Sequence, residues 1–293
     1  MHKYLKKSSQ SNHTVVTDAF QGKLQVTRST ASATPAAATA AAAATATVSQ
    51  VPFFKLSLDL PTKPLFREDY SNNNKSQEEK DDVLSTVSLF ELLEKFNGQP
   101  VSSTEDDTTT SQYGLTSLPK YLILHVKRFS QNNYTIEKNG TIVSFPLKNL
   151  DMRTYLTEEA RANIPLVSAL DGMSNSALKG IATRYVGQEQ VNGIVERPEL
   201  ISVVSKVVSN CTKYDLVANV GHKCSQMSMD QGSNMIRQTN PHDNGMYHAQ
   251  VYHRMGKQWY SIQDLSVQEV PNELITKSEV LMLLYERKDV LTA

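Results

Sequence analysis

The sequence predicts an α+β fold built on an antiparallel core sheet. Three observations carry that expectation. Strand-like runs recur through the C-terminal half, at residues 214–222, 246–254, 258–267 and 279–288. An earlier run, "LPKYLILHVKRFS" (118–130), is apolar nearly throughout from Tyr121 to Val126, the pattern of a central strand. Helical periodicity is confined to short segments, of which "VSLFELLEKFNG" (87–98) is the clearest.

Taken in order, residues 1–13 are polar and read as a disordered N-terminus, and residues 14–290 as one domain with insertions. "TVVTDAFQGKLQVT" (14–27) alternates apolar and polar positions around Gly22, which predicts a strand or hairpin arm. "ASATPAAATAAAAATATVSQ" (31–50) is low-complexity Ala/Thr. Alanine favours helix, but the stretch has no polar face and Pro35 breaks its start, so a mobile inserted loop is expected. In "VPFFKLSLDLP" (51–61), Phe54, Leu56, Leu58 and Leu60 alternate with polar residues, as in a half-buried strand. A polar linker covers 71–86. In the helix that follows, Ser88 and Glu91 have capping-box spacing, Leu89, Leu92, Leu93 and Phe96 form the apolar face, and Gly98 ends it. Asn139-Gly140 suggests a hairpin turn ahead of "TIVSFPL" (141–147). Residues 151–210 mix helical stretches ("LTEEARANI", "LISVVSKVV") with loops, and 165–210 read as a divergent insert.

Composition limits the function classes. Lys+Arg and Asp+Glu both total 30 in 293 residues, so the net charge is zero and no direct nucleic-acid partner is expected from bulk electrostatics. No apolar run approaches the ~20 residues of a spanning helix, so no membrane partner is expected. Nothing after Met1 resembles a secretory signal, so Cys211 and Cys224 are expected to be reduced thiols of an intracellular protein. Neither has a C-x-x-C neighbour, so neither a structural metal nor a cofactor is expected.

The order of motifs carries more. "LPKYLILHVKRF", "YDLVANVGH", "NGMYHAQV" running on to "WYSIQDLSV", and "EVLMLLYERK" resemble, in that order, the strands closing the ubiquitin-specific protease fold, a papain-like cysteine peptidase family. "FQGKL" (20–24) resembles the start of that family's fingers, and "SLFELLEKF" the helix just after them. "TVVTDAFQGKL", "LSLDLPTKPLFRE", "NLDMRTYL" and "GKQWYSIQDLSV" are similar to one branch, the non-catalytic members found in the spliceosomal U4/U6.U5 tri-snRNP. The resemblance implies a palm with partial fingers. It places the family's helical thumb, and the zinc-binding finger of the spliceosomal branch, ahead of residue 14, so a truncated product with one sheet face uncovered is expected.

A cysteine peptidase needs a thiolate, an imidazole to move its proton, and a carboxylate or amide to orient that imidazole. By the resemblance, the histidine belongs in Gly-His-Tyr, where this chain has Gly245-Met246-Tyr247, and the orienting Asp/Asn belongs four residues after Trp259, at Gln263. A thioether has no titratable proton, and a glutamine cannot stabilise an imidazolium by charge. These 293 residues contain no box resembling Gly-(apolar)-x-Asn-x-Gly-Asn-x-Cys, and Cys211 and Cys224 sit beside the Tyr214 strand instead. Asp264 should face the other side of its strand from Gln263. His248 shares Met246's face one pleat away, roughly 6.5–7 Å along the strand, too far to act in its place. His222, His242 and His253 read as surface or loop residues without ligand spacing.

The resemblance therefore implies a nuclear, catalytically inactive scaffold that binds tri-snRNP proteins in pre-mRNA splicing. Two other readings stand beside it: an active deubiquitinase whose nucleophile lies upstream, and a ubiquitin-binding module without turnover.

Overall fold

The computed structural model describes residues 14–30, 45–61, 85–102, 109–131, 136–194, 196–224, 245–276 and 278–288. The predicted disordered residues 1–13, most of the Ala/Thr insert, most of the polar linker, and His242 lie outside them.

The N-terminal run opens on helix α1 (Val15–Phe20), where a strand was expected. Thr14 and Thr17 form a reciprocal capping box that satisfies the first amides, and this local gain overrides the β-branched alternation. Strand β1 (Gly22–Thr30) then pairs over its full length with β2 (Thr45–Phe53). Residues 45–50, read as part of a loop, are thus strand, because the ladder with β1 supplies their backbone partners. The chain bends at Phe54–Lys55 before β3 (Leu56–Asp59). The bend moves the chain from one sheet to another, so Phe53 is buried and Phe54 exposed, the reverse of the expected parity for that pair.

After β4 (Thr86–Ser88) comes helix α2 (Leu89–Leu93), extended by a 3-10 turn through Phe96. Its apolar face is the predicted one: Leu89, Leu92, Leu93 and Phe96 are all buried while Phe90 is exposed. Ser88 Oγ accepts from the Phe90 amide at 3.3 Å. Strands β5 (Asn97–Ser102) and β6 (Thr109–Ser117) complete a four-stranded sheet of order β2-β1-β6-β5.

Among the described residues the main sheet has eight strands. The remaining strands in chain order are β7 (Tyr121–Lys127), β8 (Phe129–Gln131), β9 (Ile136–Lys138), β10 (Ile142–Ser144), β11 (Leu150–Asp151), β12 (Lys213–Cys224), β13 (Gly245–His253), β14 (Gln258–Gln263), β15 (Ser266–Val270) and β16 (Val280–Arg287). The main-sheet order is β15-β14-β13-β12-β16-β7-β3, with β11 paired to the start of β12. All its pairings are antiparallel except β3 with β7, in line with the predicted α+β class. Strand β7 is second from the edge rather than central, and its burial alternates along its length. Asn139-Gly140 makes no hairpin to β10. The hairpin is β8–β9, and β10 pairs in parallel with β4.

One face of the main sheet carries the core. Leu122, Leu124 and Val126 of β7, Leu283 and Tyr285 of β16, and Trp259 of β14 cluster with Leu56, Leu58 and the α2 leucines. The buried phenols are satisfied: Tyr285 donates to the Pro146 carbonyl at 2.7 Å and Tyr214 to that of Pro119 at 2.5 Å. On the opposite face, Ile123, Leu284, Ala218 and Val251 lie in successive cross-strand register, as do Met282, Val220, Ala249 and Ile262. All of these are half-buried or exposed.

The ambiguous stretch 151–210 is helical. It contains α3 (Glu158–Ala162), a 3-10 segment (Val167–Gly172), α4 (Asn175–Val186), α5 (Gln188–Asn192) and α6 (Arg197–Asn210). The last four build a second, separate core from Leu170, Leu178, Ala182, Val191, Leu200, Val204 and Val208. Arg197 fastens it by donating to the carbonyls of Asp171 and Met173, each at 2.8 Å. Among the described residues no helix is long and apolar enough to cross a membrane.

Candidate functional site: the start of the β13–β14 hairpin

Met246, His248, His222 and Gln263, which the sequence singles out, lie on three adjacent strands, β12, β13 and β14. Antiparallel register sets Gly221 opposite His248, Asn219 opposite Gln250, and Gln250 opposite Ser261. Side chains alternate along a strand, so Met246, His248 and Gln250 share one face with Asn219 and Ser261. Gln263 joins them, and its Nε2 donates to Met246 Sδ at 3.6 Å. Met246 and Gln263, named separately from the sequence, are therefore in contact. Met246 is 51% exposed, so the pair opens to solvent at the sheet's end.

The pair cannot exchange a proton at neutral pH, since a thioether and a carboxamide both lack a group that titrates there. Asp264 does not stand in for Gln263. It lies in the turn between β14 and β15, exposed, with φ 49°. Its absence from the site comes from this left-handed turn, which aspartate tolerates, rather than from strand alternation alone.

His248 lies where expected on the Met246 face, and it is buried, with its ring packed over Gly221. A Cβ at Gly221 would overlap that ring, so the glycine is required for close approach. His222 corrects its reading as a surface or loop residue. It is fully buried in β12, edge-on to Phe129 at 5.3 Å and to Tyr247 at 4.8 Å between ring centroids. The ring occupies space that Gly245 leaves open on the neighbouring strand. Its carbonyl accepts from Lys138, which also pairs with Glu279. His253 is exposed at the far end of β13, where its Nδ1 accepts from the Gly256 amide at 3.1 Å.

Gly245→Ala should cost about 1–3 kcal/mol, since an added methyl must displace the His222 ring from its aromatic neighbours. Urea unfolding measures this, and a loss under 0.5 kcal/mol would show that the ring does not depend on the glycine.

The thiols lie elsewhere. Cys211 is buried ahead of β12, at the end of that strand remote from Met246, roughly 30 Å away by strand length. Burial pushes its thiol above the ordinary range, more than Arg287 and Arg153 pull it down, which makes it an inert thiol. Cys224 ends β12 opposite Gly245. Among the described residues, no three His, Cys, Asp or Glu side chains are grouped to hold a metal ion.

Sequence reading missed one feature. Asn219 and Gln250 are buried side by side, with Asn219 Nδ2 donating to Gln250 Oε1 at 2.9 Å. The signal was present, since an asparagine interrupts the apolar run "YDLVANV" and a glutamine interrupts "YHAQVY".

The sequence profile described as "Ubiquitin carboxyl-terminal hydrolase" matches residues 1–285. The chain belongs to the ubiquitin carboxyl-terminal hydrolase family. Among its relatives, human "Ubiquitin carboxyl-terminal hydrolase 39" is 28% identical over 297 residues, covering 99% of this chain and 40% of that protein. The "Probable mRNA-splicing protein ubp10" of Schizosaccharomyces pombe is 29% identical over 237 residues, covering 81% of this chain and 34% of that protein. The chain thus spans about two-fifths or less of the length of these relatives. Among solved structures, the SAGA Ubp8/Sgf11/Sus1/Sgf73 DUB module bound to ubiquitin aldehyde matches with a TM-score of 0.53 at 18% identity. That match covers 96% of this chain and 44% of the other, and shows that the hydrolase family's fold is the one adopted here.

Proposed function

We propose that this protein is a catalytically inactive member of the hydrolase family that acts as a binding scaffold in assembly of the spliceosomal tri-snRNP, and so in pre-mRNA splicing in the nucleus. The observation that carries the reading is the Met246–Gln263 contact. We take these two positions to be those where the family's peptidases hold an imidazole against a carboxylate or amide. The contact is kept in space while its acid–base chemistry is gone. Replacing a general base by a thioether removes a contribution of about 10²–10⁴ in rate, and the loss of the orienting charge compounds it. His248 does not restore the base, because its ring is tucked over Gly221 rather than presented at the open end.

The splicing assignment is supported by the name of the fission-yeast relative and by the spliceosomal-branch motifs in the sequence. Partners would be tri-snRNP proteins bound through the palm surface, with RNA contact indirect given the zero net charge. Ubiquitin is the weaker candidate partner. The test is quantitative mass spectrometry of proteins co-purifying with a tagged copy from nuclear extract. Enrichment of tri-snRNP proteins supports the scaffold. Enrichment of ubiquitin conjugates without them would favour a ubiquitin-binding module instead.

A further inference from the structure

At the other end of the β13–β14 hairpin from Met246 the surface opens into a cleft of about 470 Å³. Its apolar lining comes from Leu147, Leu216, Tyr252 and Trp259, and five cations surround it: Lys148, Arg254, Lys257, Arg287 and Lys288. Among the described residues two carboxylates share the cleft, and each already has a partner. Glu286 pairs with Arg254, and Asp215 with Lys288 at 3.8 Å while also accepting from the Asn149 amide. Lys148 and Lys257 are left without an ion pair among the described residues, while Arg287 donates to the Leu118 carbonyl at 3.5 Å. From Met246 to Tyr252 the strand runs roughly 20 Å, so this cleft is separate from the Met246–Gln263 pair.

We propose that this cleft binds an acidic peptide segment of a partner protein, with one apolar side chain seated against the half-buried Leu147 and Tyr252 and flanking carboxylates meeting Lys148 and Lys257. The cleft's size fits a few residues of extended chain. A protein of zero net charge that sets two lysines without ion pairs beside a half-buried apolar wall is built to select an acidic ligand locally rather than to attract polyanions over its whole surface. Single-stranded RNA fits less well. Its bases need exposed aromatic faces for stacking, whereas Trp259 is 3% exposed and Tyr252 is half-buried with its ring against Trp259, 5.3 Å between centroids. The assignment does not depend on whether the Met246 end is catalytic.

Trp259 is the chain's single tryptophan and lines the cleft, so its emission reports on occupancy. The full chain is titrated with an acetylated, amidated Asp-Glu-Leu-Asp-Glu peptide at low ionic strength. A Lys148→Ala/Lys257→Asn double variant is titrated beside it. Both lysines are exposed, and asparagine suits the left-handed backbone at 257, so the variant should keep the natural denaturation midpoint. The expected result is a saturable emission change that weakens as the Debye length falls from about 30 Å at 0.01 M to about 10 Å at 0.1 M salt. The double variant should bind about tenfold more weakly, as for two exposed ion pairs lost. No saturable change, an equal affinity in the variant, an equal response to a Lys-Arg-Leu-Lys-Arg peptide, or tighter binding of an oligouridylate would each overturn the proposal.

Discussion

Arg128→Met is expected to destabilise the protein by about 3–5 kcal/mol, because it strips a charged donor from three backbone carbonyls at once. Arg128 follows β7 directly and is 1% exposed. Its Nε donates to the Val280 carbonyl at 2.5 Å, and its Nη1 to those of Asn139 and Thr141 at 2.9 and 2.6 Å. One side chain therefore fastens the start of β16 and the β9–β10 connection to the end of β7. Burial lowers the guanidinium's pKa and the nearby Glu279 charge opposes this, yet an arginine stays charged throughout. Methionine fills much of the volume and satisfies none of the acceptors. Arg128→Lys should fall between, since an ammonium lacks the planar fork that reaches several carbonyls. Urea unfolding followed by Trp259 emission measures both, and a Met variant within 0.5 kcal/mol of the natural protein would contradict the account.

Leu178→Ala should cost about 2–5 kcal/mol, and the loss should fall chiefly on the helical insert. Leu178 is fully buried in the second core, whose members all come from residues 170–208. None of these buried residues belongs to the cluster under the main sheet, and the half-buried Ile164 packs against both. A cavity there weakens a unit that can open by itself. Hydrogen exchange by mass spectrometry should show faster exchange over α4 and α6 with β12 to β16 unchanged. Equal acceleration in the main sheet would mean that insert and sheet unfold as one unit.

What the sequence disclosed follows the range of the interactions concerned. The α2 face was legible because 3.6-residue periodicity is local, and all four predicted residues are buried. The closing strands were legible because each carries its own apolar pattern. Helix α1 was not, since Thr14 and Thr17 cap with hydroxyls in a segment whose valines and threonines look like strand. Phe53 and Phe54 exchanged roles because a bend between two sheets resets the parity of alternation. Burial of His222 depends on a missing side chain, at Gly245, on another strand, and no local pattern announces that. Met246 and Gln263 could be named from resemblance to the family, but their contact is a product of β13–β14 pairing.

The central claim is that the Met246–Gln263 pair supports no peptidase chemistry, and hydrolysis of a fluorogenic ubiquitin C-terminal amide tests it most directly. The natural full-length gene product is assayed beside a Met246→His/Gln263→Asp double variant and a His248→Gln variant. The account predicts no release of fluorophore above buffer by the natural protein, whatever the two variants do. Turnover by the natural protein that His248→Gln abolishes would contradict it, and would identify a base one pleat away from Met246.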